Sequence, residues 1–125
     1  RLAARHDEPG TLMEIIVDPL TPAGRNGLGT VHHVAMAIAE GEEQVRLRED
    51  LVRRGLHVTA IMDRQYFHSI YFREPGGVLL EVATMQPGFL VDEDRGALGR
   101  ALKLPPWEEP NRAEIEHSLA PVTHR

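Results

Sequence analysis

Val31-His32-His33-Val34-Ala35-Met36 opens, and Val78-Leu79-Leu80-Glu81-Val82-Ala83-Thr84 closes, the stretch on which the fold turns. Each run is short, apolar and interrupted by a titratable side chain, the pattern of a half-buried strand. Alternation in the first run sets His33, Ala35 and Ala37 on one face and Val34, Met36 and Ile38 on the other. The larger apolar face is expected to pack on a helix, and the small-residue face leaves room beside His33. Glu81 lies between Leu80 and Val82, where an ionised carboxylate without a partner is costly. A divalent metal held by His33 and Glu81 would offset the cost of burying both. An ion pair of Glu81 with Arg64 or Arg73 would serve the carboxylate equally, and composition and spacing leave the two readings open.

Working outward, residues 42–54 form the one strong helix of the first two thirds. Val45, Leu51 and Val52 fall at helical spacing with Leu47 at the edge of the stripe, and Gly55 is a natural residue to end it. Strands are expected over 58–62, 66–72 and 78–84, with a polar break at Asp63-Arg64-Gln65 and a tight hairpin at Glu74-Pro75-Gly76-Gly77. The order is β-α-β-β-β, an α+β module. Upstream, residues 11–18 read as a strand between Gly10 and Pro19, followed by a Pro- and Gly-rich linker. Having no partner close in sequence on its N-terminal side, this strand reads as the end of a preceding unit. Downstream, 95–102 reads as a short helix stopped by Leu104-Pro105-Pro106. A second helix is expected over 111–119, with Asn111 as N-cap and Glu114 at capping-box spacing. The expected organisation is therefore 1–28 (end strand plus linker), 29–86 (the βαβββ module) and 87–125 (a C-terminal extension with short helices).

The 125 residues suit one domain with a modest core, and 42% apolar with 26% charged is an ordinary globular balance. Zero cysteines excludes disulfides, thiolate metal sites and cysteine nucleophiles, and fits a cytoplasmic location. The net charge of −5 and the lack of a basic stripe argue against nucleic acid as partner, and no apolar run is long enough for a membrane span. The first residue is arginine rather than methionine, so the chain is expected to be part of a longer protein. No Gly-rich phosphate loop precedes a helix, and no serine sits in a nucleophile elbow.

Four segments together narrow the reading: Gly29-Thr30-Val31-His32-His33-Val34-Ala35, Asp63-Arg64-Gln65-Tyr66-Phe67, Ser69-Ile70-Tyr71-Phe72-Arg73-Glu74-Pro75-Gly76-Gly77 and Leu80-Glu81-Val82-Ala83-Thr84. With Pro87-Gly88-Phe89, Val91-Asp92-Glu93 and Leu104-Pro105-Pro106 they resemble the C-terminal part of hydroquinone-type extradiol ring-cleaving dioxygenases. These belong to the vicinal oxygen chelate superfamily, with glyoxalase I and bleomycin-resistance proteins. The resemblance implies a βαβββ vicinal oxygen chelate module whose curved mixed sheet forms half a barrel. It implies metal ligation by His33 and Glu81, with His32, Arg64 and Tyr71 around substrate and oxygen. It implies Fe(II) or Mn(II) as the metal, dioxygen as co-substrate and a hydroquinone- or catechol-class ring as substrate. One further histidine ligand in such enzymes comes from an N-terminal module that nothing here matches; His6 lies in a loop-like context and is a poor substitute. The missing modules or a second chain, and a dimer or larger homo-oligomer, are the implied partners. A glyoxalase-like non-redox metalloenzyme and a metal-free binding module of the bleomycin-resistance type are the alternatives.

Each candidate also has a plainer role. By strand parity His32 points away from His33, as a proton carrier or as a packed histidine held by a carbonyl. Arg64 could make a surface salt bridge with Asp63 or a glutamate, and Tyr71 could simply fill the barrel. Tyr66, Phe67 and Phe72 read as core, and His68 as exposed or helix-facing. His57, His117 and His124 carry no expected role.

Overall fold

Glycine and proline punctuate the chain where the sequence predicts, and β-α-β-β-β is the order found between them. The computed structural model describes residues 2–3, 12–22 and 27–120. Its elements are β1 (Leu2–Ala3), β2 (Leu12–Met13), β3 (Val34–Ile38), α1 (Gly41–Arg53), β4 (Met62–Asp63), β5 (His68–Arg73), β6 (Leu79–Thr84) and α2 (Arg112–Ser118). Four strands make an open mixed sheet in the order β3-β6-β5-β4, with β3 parallel to β6 and the other pairs antiparallel. This is the α+β architecture expected of a vicinal oxygen chelate module.

The sheet buries one face against α1. Among the described residues Ile70, Phe72 and Val82 are the buried apolar ones, and Met36, Ile38, Leu47, Leu51, Leu56, Val58 and Leu80 pack against them. Met36 and Ile38 are half-buried and Ala35 and Ala37 exposed, as the alternation of β3 predicts, whereas Val34, expected on the packed face, is 38% exposed. The helix stripe differs from expectation. Val45 and Val52 are 41% and 46% exposed, and the inward set is Gln44, Leu47 and Leu51. A count of apolar residues passes over Gln44, yet it is only 1% exposed. Its Nε2 donates to the carbonyls of His68 and Val82, each at 2.8 Å, tying α1 to both central strands. Those bonds turn the helix about its axis relative to the apolar reading.

The helix ends as Gly55 predicts. Gly55 has φ +87°, its N–H donates to Val52 O, and the Leu56 N–H donates to Leu51 O. This is the paired bonding of a Schellman end, with Leu51 and Leu56 both on the core. The strand expected over 58–62 is broken into a single bridge, Val58 to Phe72, and the two residues of β4. Thr59 causes the break: its Oγ1 accepts the Tyr71 N–H that a regular ladder would give to a carbonyl. At the β5–β6 turn the Glu74 carboxylate accepts the N–H groups of Gly76 and Val78. Those two bonds hold its carboxyl below the usual range.

Outside the module the expectations fare unevenly. The strand expected over 11–18 shrinks to β2, and it does have an N-terminal partner, pairing antiparallel with β1. Residues 95–102 form turns rather than a helix, with Gly99 at φ +73°, a backbone that interrupts helical propagation. Helix α2 forms, but Asn111 does not cap it with its side chain. A 3-10 turn over Glu109–Asn111 leaves Asn111 at ψ 5° instead of the extended backbone a capping side chain needs, and its amide donates to Glu108. Tyr66 and Phe67 are half-buried rather than core, and Tyr66 packs on Phe89 with ring centroids 4.9 Å apart.

Candidate metal and substrate site

Glu81 lies on β6, the strand flanked by β3 and β5. The hairpin register sets Tyr71 directly opposite it, and the parallel pairing sets Ala35 beside it. Parity then aims Ser69, Tyr71 and Glu81 at the face opposite α1, while Ile70, Phe72 and Val82 enter the core. Ala35 is small, so the His33 side chain, two residues earlier, reaches the carboxylate.

The Glu81 side chain is 6% exposed and fully engaged. Its Oε2 meets His33 Nε2 at 2.7 Å. Its Oε1 accepts the Tyr71 hydroxyl at 2.8 Å and also the hydroxyl of Ser69, which is wholly buried. Neither Arg64 nor Arg73 supplies the ion pair that the sequence left open. Arg73 donates to Gly77 O, and Arg64 lies over the Tyr71 ring, its Cζ 5.4 Å from the centroid and its Nη2 3.5 Å from the hydroxyl. That stacking is a cation–π contact with a weak hydrogen bond added. The surface salt bridge considered for Arg64 is absent from its described contacts.

The two histidines correct the parity argument. The regular strand begins only at Val34, so His32 and His33 precede it and are not forced to opposite faces. Their Nδ1 atoms stand 2.9 Å apart, with ring centroids at 5.2 Å and edge-to-face. The His33 ring also meets the Tyr71 ring edge-on at 6.0 Å. Arg64, Tyr71, Glu81, His33 and His32 thus form one continuous chain of contacts. All five residues singled out from the sequence come together. Ser69 is the participant that sequence reasoning passed over.

The remaining histidines stand apart. His57 and His117 are exposed, and His6 and His124 lie outside the described residues. His68 is exposed on the helix side of the sheet, where it lines a cleft of about 460 Å³ with Ala39, Glu40, Gly41, Thr84, Gln86 and Pro87. That cleft is across the sheet from Glu81.

Whether the donors suit a metal can be tested on their spacing. Two cis ligands about 2.1 Å from an octahedral ion stand about 3 Å apart, close to the 2.7 Å between His33 Nε2 and Glu81 Oε2. Ser69 and Tyr71 occupy Oε1, so an ion would have to replace the direct contact between His33 Nε2 and Oε2. An imidazole and a carboxylate are two members of the facial set that suits Fe(II). Among the described residues no group of three or more His, Cys, Asp or Glu side chains could hold a metal ion. The chain's described donors therefore fit part of a site.

Known proteins resemble this chain over part of their length. No family model matches the chain. It is 42% identical over 123 residues to the Bacillus subtilis (strain 168) protein named "Putative ring-cleaving dioxygenase MhqO", covering 97% of this chain and 39% of that protein. It is 41% identical over 96 residues to the Sphingobium indicum "Chlorohydroquinone/hydroquinone 1,2-dioxygenase", covering 74% of this chain and 29% of that protein. A crystal structure described as a "putative dioxygenase from Bacillus subtilis" superposes with a TM-score of 0.78 at 44% identity, over 85% of this chain and 35% of that one. The chain thus spans two-fifths or less of the length of these relatives.

Proposed function

We propose that this chain, a homologue of ring-cleaving dioxygenases over two-fifths or less of their length, supplies the C-terminal half of an extradiol-type active site. The activity is metal-dependent cleavage of a dihydroxylated aromatic ring, hydroquinone or catechol class, by dioxygen. The observation that carries the reading is the meeting of His33 Nε2 and Glu81 Oε2 at cis-ligand spacing. In this reading His33 and Glu81 hold Fe(II) or Mn(II), and a further histidine comes from the rest of a longer polypeptide or from a second chain. Bound by these residues, such an ion would supply the redox chemistry that lets an aromatic ring react with dioxygen.

The other residues act through ordinary hydrogen bonding. When His33 Nε2 is a ligand its proton resides on Nδ1 and is donated to His32 Nδ1. His32 then carries its own proton on Nε2, the nitrogen that His33 does not engage, for exchange with substrate. Arg64, held against the Tyr71 ring, sets a fixed positive charge where substrate oxygen gains negative charge. Tyr71, which donates to Glu81 and accepts from Arg64, would orient substrate or oxygen from that fixed position.

Residues 29–86 form the metal-binding module in this reading, 1–28 the end of a preceding one with its linker, and 87–125 an extension. Ile16, Val17, Leu20 and Val31 are more than four-fifths exposed, which suits coverage by further modules or by a second copy in a homo-oligomer. No described helix is long and apolar enough to cross a membrane, and a chain free of cysteine suits the reducing cytoplasm.

A second reading has an observation in its favour. His33, Ser69 and Tyr71 already satisfy Glu81, as a metal-free binding module would require. Anaerobic reconstitution of the complete gene product separates the two. The expected result is about one equivalent of iron or manganese per chain, absent in His33→Ala, with oxygen uptake on methyl- or chlorohydroquinone compared against catechol. A stoichiometry near zero that His33→Ala leaves unchanged would sink the dioxygenase reading. Ser69→Ala gives a finer check. Removing this support from Glu81 should weaken metal binding about 10–100-fold in a chelator competition, with the melting temperature little changed. Unaltered affinity would make Ser69 a packing residue only.

A further inference from the structure

We infer that Asp92, in the C-terminal extension, is a positioning residue for Arg64, acting through the tip of the β4–β5 hairpin. The inference rests on the reading of Arg64 as a substrate-facing cation and adds to it a residue from outside the βαβββ module.

The hairpin tip is an unusual piece of backbone. Gln65 has φ +66°, the one non-glycine positive value among the described residues. A side chain in that region is held there by its surroundings rather than by preference. Two sets of bonds do the holding. From within the hairpin, Asp63 Oδ1 accepts the Gln65 N–H at 2.7 Å, and the Arg64 N–H donates to Phe67 O at 2.9 Å. From the extension, Asp92 Oδ2 accepts both Gln65 Nε2 and the Tyr66 hydroxyl, each at 3.0 Å. The Gly88 N–H donates to Tyr66 O at 2.8 Å, and Phe89 packs on the Tyr66 ring. The 3-10 turn Phe89–Val91 delivers Asp92 to this point.

Arg64 is the residue immediately before this clamp. Its backbone is fixed by the hairpin bond, and its guanidinium stacks on Tyr71, itself bonded to Glu81. Asp92 therefore reaches the site through two neighbours of Arg64 while touching none of the proposed metal ligands. Two further observations separate this contact from ordinary surface bonding. Asp92 Oδ1 and Gln65 Oε1 are both buried and have no partner among the described residues, so this contact is shielded from solvent. The Tyr66 hydroxyl is pushed above its usual pKa, first by burial and then by the Asp92 carboxylate, as expected of a phenol kept as a donor.

The test uses the complete gene product with two readouts. One is the NMR signal of Arg64 Nε–H, shifted by the Tyr71 ring beneath it. The other is kcat/KM for oxygen uptake with methylhydroquinone. Asp92→Ala is expected to move the Arg64 signal towards that of a free arginine and to lower kcat/KM by about 10-fold or more. Asp92→Asn, which keeps an acceptor for both bonds, should restore both readouts. An Asp92→Ala protein whose Arg64 signal is unmoved would overturn the inference, whatever its melting temperature. An inactive wild type would instead count against the dioxygenase reading, and the Arg64 signal would still decide the role of Asp92.

Discussion

Glu81→Ala is expected to leave a folded protein that retains no metal and has lost more than about 10³-fold in ring cleavage, beyond the 10–100-fold typical of supporting residues. Three side chains meet at this carboxylate. His33 engages Oε2, while Ser69 and Tyr71 engage Oε1. Alanine removes all three bonds at once and strands a wholly buried serine hydroxyl, so a stability loss of about 1–3 kcal/mol accompanies the functional one. Glu81→Gln separates the two effects. An amide oxygen still accepts from Ser69 and Tyr71, and the amide nitrogen can donate to His33 in its other tautomer. Shape and bonding survive while the negative charge is lost. Glu81→Gln should therefore melt close to wild type and still fail to hold iron or manganese in a chelator competition. Retention of metal and oxygen uptake by Glu81→Gln would refute the assignment of Glu81 as a ligand. A drop in melting temperature alone, with wild-type protein also free of metal, would favour the ion-paired binding module.

Much of this site is legible in the sequence because its parts obey local rules. The apolar runs that carry Glu81 and follow His33 do form β6 and β3. The β5–β6 register is not legible in this way: a turn confined to 74–77 would set Tyr71 opposite Leu80, whereas Arg73 pairs with Leu79 and Tyr71 with Glu81. Only with that register does Ser69 lie on Glu81's side of the sheet. Other features depend on contacts distant in sequence. Gln44 is polar and so drops out of an apolar stripe, and only the carbonyls of His68 and Val82 explain its burial. Thr59 breaks its strand through a side-chain bond to Tyr71 that no propensity encodes. The His32–His33 contact depends on the strand starting at Val34, a shift at an element end that reverses a parity argument. Asp92 sits in a stretch that reads as loop, and its bonds to Gln65 and Tyr66 span more than 25 residues.

Ile70→Ala should be the most destabilising single truncation in the module, at about 2–5 kcal/mol. Ile70 is 0% exposed at the middle of β5, and among the described apolar residues only Phe72 and Val82, at 8% and 4%, are also buried. A core this small has few neighbours able to collapse into the space left behind, which puts the cost towards the upper part of that range. Against a typical total of about 5–15 kcal/mol, the loss is a large fraction. Its consequence for function follows from strand parity. Ser69 and Tyr71 flank Ile70 and point to the opposite face, where both donate to Glu81. The packing of Ile70 on α1 thus holds β5 at the depth from which those two hydroxyls reach the carboxylate. Ile70→Val, costing about 0.5–1.5 kcal/mol, should keep that depth and with it the metal affinity. Ile70→Ala should lower the melting temperature clearly and also weaken metal binding at temperatures where the protein is still folded. Thermal unfolding paired with chelator competition on both variants checks the two parts separately. An alanine variant that melts lower yet binds metal as wild type would show that the depth of β5 is set by its pairing with β6 alone, and not by the core beneath it.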